Sequence, residues 1–327
     1  MSSLSLKYAE YAGWPDALWI EAERLTLMLV PQVGGRVMGL HWYNYPIYWV
    51  NPSLGGKPID VALITPPATA KADLGFLLWG GSKTWLAPQD RWHSGLPFLD
   101  LDSGAYRLNV LEEVDTQVSV VMTSPICRET GVQLTRTISL GTEVDCWQVT
   151  HQMTNCSDRS TTWGLWSNVM VRRPATVFLP TRDSSQFPDG VKTFESEGDS
   201  IQARSQVMTW QDSQVAIRCD RPIKFKFGVD SELGQLLAVY PLPDGQFLGH
   251  VKQFNTFHPE SYGHGCVIEV FNAVEYPYLE LEIHDSVHTL APGESRTFVE
   301  TNRLVTLNAM PTTTTDINAV VMLGELC

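Results

Sequence analysis

The sequence predicts an all-β protein, a mostly antiparallel sandwich or barrel, and two observations support this prediction. Nine short segments are rich in β-branched and aromatic residues and often alternate apolar with polar side chains. Glycine, proline, asparagine and aspartate punctuate the chain between them, and no segment keeps a helical period over several turns. Many strands at short spacing without helical crossovers are typical of antiparallel sandwiches and barrels.

The predicted strands follow one another from the middle of the chain to its end. In chain order they cover 116–122, 133–140, 147–155, 163–171, 215–219, 236–240, 267–272, 279–284 and 297–304. Turn sequences such as Pro-Leu-Pro-Asp-Gly at 241–245 end one strand and redirect the chain toward the next. This regular punctuation favours strands paired with their neighbours along the chain.

Composition limits the class of protein and its partners. The 327 residues are 43% hydrophobic and 18% charged, which is ordinary for a globular chain with a substantial core. The formal net charge of −13 disfavours nucleic acid and anionic lipid surfaces, because both require basic patches. Lys7 and Glu10 interrupt the first segment, unlike a signal peptide, and no apolar run is long enough for a membrane span. We therefore expect a cytoplasmic monomer or homodimer with no nucleic-acid or membrane partner.

The chain shows no internal repeat and no linker that would divide it. We expect one domain over residues 1–310, followed by a C-terminal tail, 311–327. The tail opens with a threonine-rich connection at 312–315 and continues into the apolar segment 319–326. Because an exposed apolar tail promotes aggregation, we expect it to pack on the domain or on a second subunit.

The strand 279–284, Leu-Glu-Leu-Glu-Ile-His, is the most informative segment for function. Side chains alternate faces along a strand, so the three apolar residues point to one side. Glu280, Glu282 and His284 point to the other. Unpaired carboxylates are costly to bury, so this polar face is expected in water or in a cleft that binds ligands or moves protons. Glu280, Glu282 and His284 are therefore candidate site residues, and the alternation alone does not say whether they bind a ligand or move protons.

A Gly-Gly-Arg sequence at 34–36 precedes an alternating segment. Paired glycines indicate a tight turn or a close backbone approach that leads into a strand. Arg36 is either a surface arginine after a hairpin turn or a substrate-binding residue.

The segment 80–93 combines glycines with Lys83, Trp85, Gln89 and Trp92, which is unusual material for a core. An indole can stack on the apolar face of a pyranose, while lysine and glutamine donate hydrogen bonds to hydroxyl groups. These four residues are therefore candidates for sugar binding. The alternative is that the tryptophans plug the end of a sandwich and Lys83 is solvated.

A third block, 249–272, places His250 and Lys252 on one face of a strand, a combination suited to anion or hydroxyl recognition. A metal site can be drawn from residues of this block, but the spacing matches no tetrahedral pattern, and the six cysteines show no CxxC pair. Nucleotide-loop, serine-elbow and HExxH motifs are also absent from the sequence. We expect no metal and no cofactor. The residues of that metal interpretation are His250, His258, Glu260, His264 and Cys266.

Four stretches, taken in order, resemble the galactose-mutarotase-like β-supersandwich superfamily, and most closely its DUF4380 family. They cover about residues 25 to 305. They are Gly-Gly-Arg at 34–36; Gly-Gly-Ser-Lys-Thr-Trp-Leu-Ala-Pro-Gln at 80–89; Asn-Cys-Ser-Asp at 155–158 with Trp-Gly-Leu-Trp-Ser at 163–167; and Tyr-Leu-Glu-Leu-Glu-Ile at 278–283 with Leu-Ala-Pro-Gly-Glu at 290–294.

The resemblance implies one domain of large antiparallel sheets packed face to face, with a concave polar groove for a carbohydrate. In catalytic members a late-strand glutamate is the base on the anomeric hydroxyl and a central-strand histidine is the acid toward the ring oxygen. Glu280 or Glu282 matches the glutamate. The histidine has no counterpart, because the chain has Ser167 and Asn168 there, and neither side chain can protonate a ring oxygen near pH 7.

Three functions follow as hypotheses. The first is a carbohydrate-binding protein without turnover. The second is an aldose or hexose-6-phosphate 1-epimerase with Glu282 as base and His250 or Lys252 as acid, in which Arg36, Lys83 and Lys252 suit a phosphate or carboxylate. The third is a lyase-like or structural role, in which the groove binds a polymer or a protein.

Overall fold

The structure, a computed structural model, describes residues 4–114, 116–141, 145–256 and 261–324. In these ranges the strands pair antiparallel and form two sheets, one of 12 strands and one of 10. The two sheets pack face to face around one large hydrophobic core. The predicted all-β antiparallel supersandwich is therefore confirmed.

The larger sheet contains the first strands of the chain and the strands around 279–284. Its members are β1 (Ser5–Tyr11), β2 (Trp14–Glu21), β3 (Leu25–Val30), β4 (Arg36–Trp42), β5 (Tyr45–Pro46), β6 (Ser82–Ala87), β11 (Thr161–Arg172), β13 (Lys192–Thr193), β16 (Phe225–Val229), β19 (Ile268–Asn272), β20 (Tyr278–His284) and β21 (His288–Leu290). The spatial order is β1-β2-β3-β4-β6-β11-β20-β19-β16-β13, with β5 beside β4 and β21 beside β11.

The smaller sheet is built from the middle of the chain and from the last long strand. Its members are β7 (Arg107–Val114), β8 (Gln117–Thr123), β9 (Val132–Gly141), β10 (Cys146–Asn155), β12 (Ala175–Pro180), β14 (Met208–Gln211), β15 (Gln214–Cys219), β17 (Gln235–Pro241), β18 (Phe247–Phe254) and β22 (Ser295–Leu307). The spatial order is β14-β15-β12-β17-β18-β22-β10-β9-β8-β7.

Helices are short and lie in the connections. They are α1 (Pro67–Ala70), α2 (Leu99–Asp102), α3 (Ser200–Val207) and α4 (Thr314–Gly324). None of the helices in the described ranges combines the length and the apolar character that crossing a bilayer requires.

The apolar face of β20 builds the core as predicted. Leu279, Leu281 and Ile283 are fully buried and belong to the cluster between the two sheets. The opposite face of β20 is buried as well, because connecting segments cover it. The polar side chains of β20 therefore lie in a covered site and not in an open groove.

The end of the described chain packs on the smaller sheet. Ile317, Val320 and Val321 of α4 form a separate hydrophobic cluster with residues that include Leu237 and Val251 of β17 and β18. These strand residues point away from the inter-sheet core, so α4 covers the outer face of the smaller sheet.

Candidate functional site

Four neighbouring strands carry a row of polar side chains on the outer face of the larger sheet. Lys83 of β6 lies opposite Asn168 of β11, and Asn168 lies opposite Glu282 of β20. Glu282 in turn lies opposite Glu269 of β19. Directly opposed residues of an antiparallel pair point to the same side, so the register alone brings these four side chains together. All four are buried.

Lys83 is held inside this row by hydrogen bonds. Its Nζ donates to Oδ1 of Asn168 over 2.8 Å and lies 3.5 Å from Oε1 of Glu280. Asn168 donates from Nδ2 to Oε2 of Glu280 over 2.9 Å. The Lys83 ammonium also lies 4.2 Å from the ring centroid of Trp85. Lys83 and Glu280, both predicted site residues, are therefore joined through Asn168.

Lys226 of β16 joins two carboxyl groups, and the sequence analysis missed it. Its Nζ lies 2.7 Å from Oε2 of Glu269 and 3.0 Å from Oε2 of Glu282. Nε1 of Trp166 donates to the same Glu282 oxygen over 2.9 Å. Lys226 is flanked by two phenylalanines in the sequence, so a lone charge in an apolar strand was the available signal.

The two carboxyl groups have opposite pKa shifts. Burial raises the pKa of Glu282 well above that of an ordinary glutamate, and the ammonium of Lys226 only partly opposes this. Burial alone would also raise the pKa of Glu269, but Lys226, His284 and His264 hold it well below the ordinary value. Burial disfavours the Lys226 ammonium, yet both glutamates raise the pKa of Lys226. The ammonium of Lys226 therefore stabilises the ionised form of Glu269 more than that of Glu282.

Two histidines border Glu269 on its other oxygen. Nδ1 of His264 lies 3.0 Å from Oε1 of Glu269, and the backbone N–H of Gln89 donates to Nε2 of His264 over 3.0 Å. Because Nε2 accepts, the proton of His264 sits on Nδ1 and is donated to Glu269. Nε2 of His284 lies 3.4 Å from the same glutamate oxygen without forming a hydrogen bond. Burial lowers the pKa of His284 to about 4.

The tryptophans of the segment 80–93 pack on one another. Trp92 stacks on Trp166 at a centroid distance of 5.6 Å, and Trp85 meets both rings edge-on at 5.3 and 5.0 Å. Trp85 donates from Nε1 to Asp102, and Trp92 donates to the carbonyl of Leu86. The rings of Trp85 and Trp92 therefore pack against other rings behind the polar row, and they do not present an open stacking surface.

Arg36 lies beside this aromatic cluster, and both of its terminal guanidinium nitrogens are engaged with protein groups. Its guanidinium donates to Oδ1 and the carbonyl of Asp102 and to the carbonyl of Gly80. Asp102 Oδ1 also accepts the indole N–H of Trp85. Arg36 is 1% exposed, so it does not reach solvent. Its contacts hold Asp102, and through Asp102 the indole of Trp85, in position.

A cavity of about 470 Å³ opens beside the polar row. Gln89, Lys226 and His264 line it, so it reaches the row through residues that contact Glu269 and Glu282. Ten residues form its wall: Gln89, Asp90, Gly95, Lys192, Phe194, Ser196, Glu197, Lys226, Gly263 and His264.

His250 and Lys252 lie elsewhere. Both project from β18 into the interior between the sheets, where Asn302 Oδ1 lies 3.1 Å from Nε2 of His250 and accepts from Lys252 over 2.9 Å. Lys252 also pairs with Glu300 at 3.1 Å. The structure therefore does not bring these two residues together with Glu282, because they belong to the opposite sheet.

Of the predicted residues, Glu280, Glu282, Lys83, Trp85, Trp92, Gln89 and His284 lie at or behind the polar row, and Arg36 supports it. The sequence analysis missed Asn168, Lys226, Glu269 and His264 as members of this site. His264 entered it only within a metal pattern, and two members of that pattern, His258 and Glu260, lie outside the described residues.

Solved structures with the same fold include sugar-related proteins. A putative aldose 1-epimerase from Klebsiella pneumoniae subsp. pneumoniae MGH 78578 matches with a TM-score of 0.64 and 13% identity, over 99% of this chain and 87% of that one. A galactose mutarotase-like protein from Lactobacillus casei ATCC 334 matches with a TM-score of 0.53 and 11% identity, over 88% and 100%. At these identities the likeness shows the shared fold.

A TPR-domain containing protein from Parabacteroides distasonis ATCC 8503 also matches, with a TM-score of 0.58 and 14% identity over 90% of this chain. The chain spans about half the length of that protein, 48%. No curated protein matches the chain. The resemblance to the galactose-mutarotase-like superfamily, predicted from four short stretches, is confirmed at the level of fold.

A family model gives a more specific assignment than the solved structures. The model described as "Domain of unknown function (DUF4380)" matches residues 105–305, more than half of the chain. It includes β11, β19 and β20, which carry most of the polar row. The chain belongs to the DUF4380 family.

Proposed function

We propose that this chain binds a carbohydrate of monosaccharide size in the cavity beside the polar row. The observation that carries the proposal is the position of Lys226, which lines the cavity while it pairs with Glu269 and Glu282. The cavity volume of about 470 Å³ lies within the range of roughly 300–1,000 Å³ that is common for small-molecule sites.

The chemistry of the cavity wall suits a sugar. Lys192 and Lys226 supply donors, Asp90 and Glu197 supply acceptors, and a sugar hydroxyl can act as either. Phe194 adds an aromatic face against which the apolar side of a pyranose can pack. The two lysines also suit a ligand that carries a phosphate or carboxylate group. The proteins of the same fold named as aldose 1-epimerase and galactose mutarotase-like support a sugar ligand.

Saturation-transfer NMR with a panel of aldoses and hexose 6-phosphates tests this proposal. We expect transfer from the protein to at least one member of the panel, with competition between members that share the site. If no sugar receives saturation, the cavity serves another ligand, and a polymer or a protein partner becomes the better hypothesis.

A second candidate function is aldose or hexose-6-phosphate 1-epimerase activity with Glu282 as base. It is favoured by the contact between Glu282 and Lys226, because the carboxylate can take the anomeric hydroxyl proton while the ammonium donates to the ring oxygen. The ring bond to the anomeric carbon then breaks, the aldehyde rotates, and closure returns both protons. In this proposal Lys226 takes the acid role that the sequence analysis gave to His250 or Lys252.

Anomer exchange measured by NMR in the same samples separates the two functions. Binding with accelerated exchange supports the epimerase, and binding without acceleration supports a sugar-binding protein without turnover. The choice between Glu280 and Glu282 as base follows from their separate glutamine variants.

A further inference from the structure

Three side chains capable of binding a metal ion meet at the wall of the cavity, which His264 lines. His264 comes from the connection before β19, Glu269 from β19 and His284 from β20. One nitrogen of each histidine and one carboxylate oxygen all lie within 4.8 Å of one another. We propose that His264, Glu269 and His284 form a binding site for one zinc-class divalent cation.

The distances between the donor atoms agree with such an ion. Ligand bonds of about 2.0–2.1 Å at tetrahedral angles place neighbouring donor atoms about 3.3–3.4 Å apart. Oε1 of Glu269 lies 3.0 Å from Nδ1 of His264 and 3.4 Å from Nε2 of His284. Oε1 is therefore already at about the tetrahedral spacing from both nitrogens. The two nitrogens lie within 4.8 Å of each other and must approach by up to about 1.4 Å to complete three corners around one ion.

His284 is the independent observation that points to a ligand at this position. Its side chain is fully buried, and neither ring nitrogen forms a hydrogen bond with any residue that the structure describes. Leaving a buried polar group without a partner is unfavourable. A cation bound to Nε2 would give this nitrogen a partner and account for an imidazole in this position.

The donor set and its surroundings favour zinc over harder cations. Two imidazoles and one carboxylate are a common set for zinc, whereas calcium and magnesium prefer oxygen ligands alone. Lys226 engages the other carboxylate oxygen of Glu269, which orients the first oxygen toward the histidines. The carboxylate of Glu269 offsets part of the added charge of the cation, despite the nearby ammonium of Lys226.

Binding has one local cost, which provides a second measurement. A neutral imidazole that binds metal through Nδ1 carries its proton on Nε2, so His264 can no longer accept the N–H of Gln89. Cation binding must therefore release the hydrogen bond between Gln89 and His264. Because Gln89 opens a short 3-10 turn that leads to Trp92, the tryptophan environment should change on binding.

The test uses the full chain, stripped with a chelator and titrated with Co²⁺ and then Zn²⁺ in the absence of sugar. We expect one Co²⁺ per chain with the intense visible absorption of a tetrahedral site, displacement by one Zn²⁺, and a change in tryptophan fluorescence. His284→Gln and His264→Gln should each weaken affinity at least about tenfold. His93→Gln, an exposed histidine on the neighbouring turn, is the matched control and should bind as the wild type does.

Three results would overturn the proposal: no stoichiometric binding, a weak octahedral Co²⁺ spectrum, or unchanged affinity in the His264 and His284 variants. If His284→Gln fails to fold, the partly exposed His264→Gln and the wild-type spectrum decide the question. Since no sugar is present, failure of this site leaves the sugar-binding proposal separately testable.

Discussion

Individual charges in the site are stable because neighbouring strands supply their partners. Lys226 illustrates this, since it occupies an otherwise apolar strand and meets Glu269 and Glu282 from two other strands. Removal of one member of a buried ion pair leaves an uncompensated charge and costs about 3–5 kcal/mol. The stability of the fold and the chemistry of the site therefore depend on the same side chains.

Lys226→Met should lower the free energy of unfolding by about 3 kcal/mol or more, because Glu269 loses its ammonium partner. Lys224→Met is the matched control: Lys224 pairs with Glu197 at the surface, at 3.2 Å, with both side chains more than 30% exposed. Such a surface pair contributes about 1 kcal/mol or less. Urea denaturation of both variants measures the difference, and equal costs would contradict the account.

Glu282→Gln should leave the fold intact and abolish any anomer exchange. Glutamine has nearly the size and shape of glutamate, and its amide oxygen can still accept from Lys226 and Trp166, so the substitution changes stability little. A glutamine cannot accept the anomeric proton. Exchange NMR and a thermal melt check both statements; exchange that persists at the wild-type rate would remove Glu282 from the role of base.

At the scale of elements, alternation along a strand predicted both the core and the site. All nine strands proposed from the sequence are present, and β20 presents its apolar and polar faces as expected. The sequence analysis gave no strand for β1, β2 and β3, none for β6 and β16, and no cover over the polar row. Their positions depend on pairings between distant segments, such as β6 with β11, for which a single sequence gives no periodic signal.

The same limit explains which site residues were missed. Glu269 and Lys226 each stand as a lone charge in an apolar strand, a weaker signal than the alternation that singled out 279–284. Only the order β11-β20-β19-β16 shows that they share a face with Glu282. His250 carried a comparable signal, but its strand belongs to the other sheet, and its side chain contacts Asn302.

Leu281→Asp should prevent stable folding, because it places a carboxylate in the core between the sheets. Val299→Asp, at an outward-facing and 36% exposed position of β22, is the control and should cost about 1 kcal/mol or less. Circular dichroism and thermal melts of the two variants measure the contrast. A stable Leu281→Asp protein would contradict the facing assigned to β20.

At the scale of the whole molecule, a polar seam joins the two sheets inside the core. Thr84 of β6 lies 2.8 Å from Nδ1 of His151 of β10, and Arg136 of β9 donates to Ser82 of β6. These bonds reach the inner side of the strand whose outer side carries Lys83 and Trp85. The seam thus ties the smaller sheet to the site on the larger one.

Buried neutral histidines on the inner face of the smaller sheet make stability depend on pH. Burial, with Lys252 adding to it, lowers the pKa of His250 to about 3, while an unfolded histidine titrates near about 6.5. Between these values the unfolded chain binds a proton that the folded chain does not. The contribution of His250 to stability is therefore complete above about pH 6.5 and is lost progressively as the pH falls toward 3.

Urea denaturation between pH 7.5 and 4.5 measures this dependence. The free energy of unfolding should fall with pH in the wild type and in the exposed control His93→Gln. It should fall less steeply in His250→Gln, which has no imidazole to titrate at that position. Equal slopes in all three proteins would show that His250 is not the neutral, buried group described here.

The central claim is that the cavity bordered by Gln89, Lys226 and His264 is the carbohydrate site. Saturation-transfer NMR on the sugar panel with a cavity-blocking variant tests it most directly. Ser196→Trp fills the cavity from an exposed position, and Ser53→Trp places the same ring at an exposed position that does not line the cavity. We predict that the sugar signal survives Ser53→Trp and disappears in Ser196→Trp; a signal that survives in both, or is absent from the wild type, would contradict the claim.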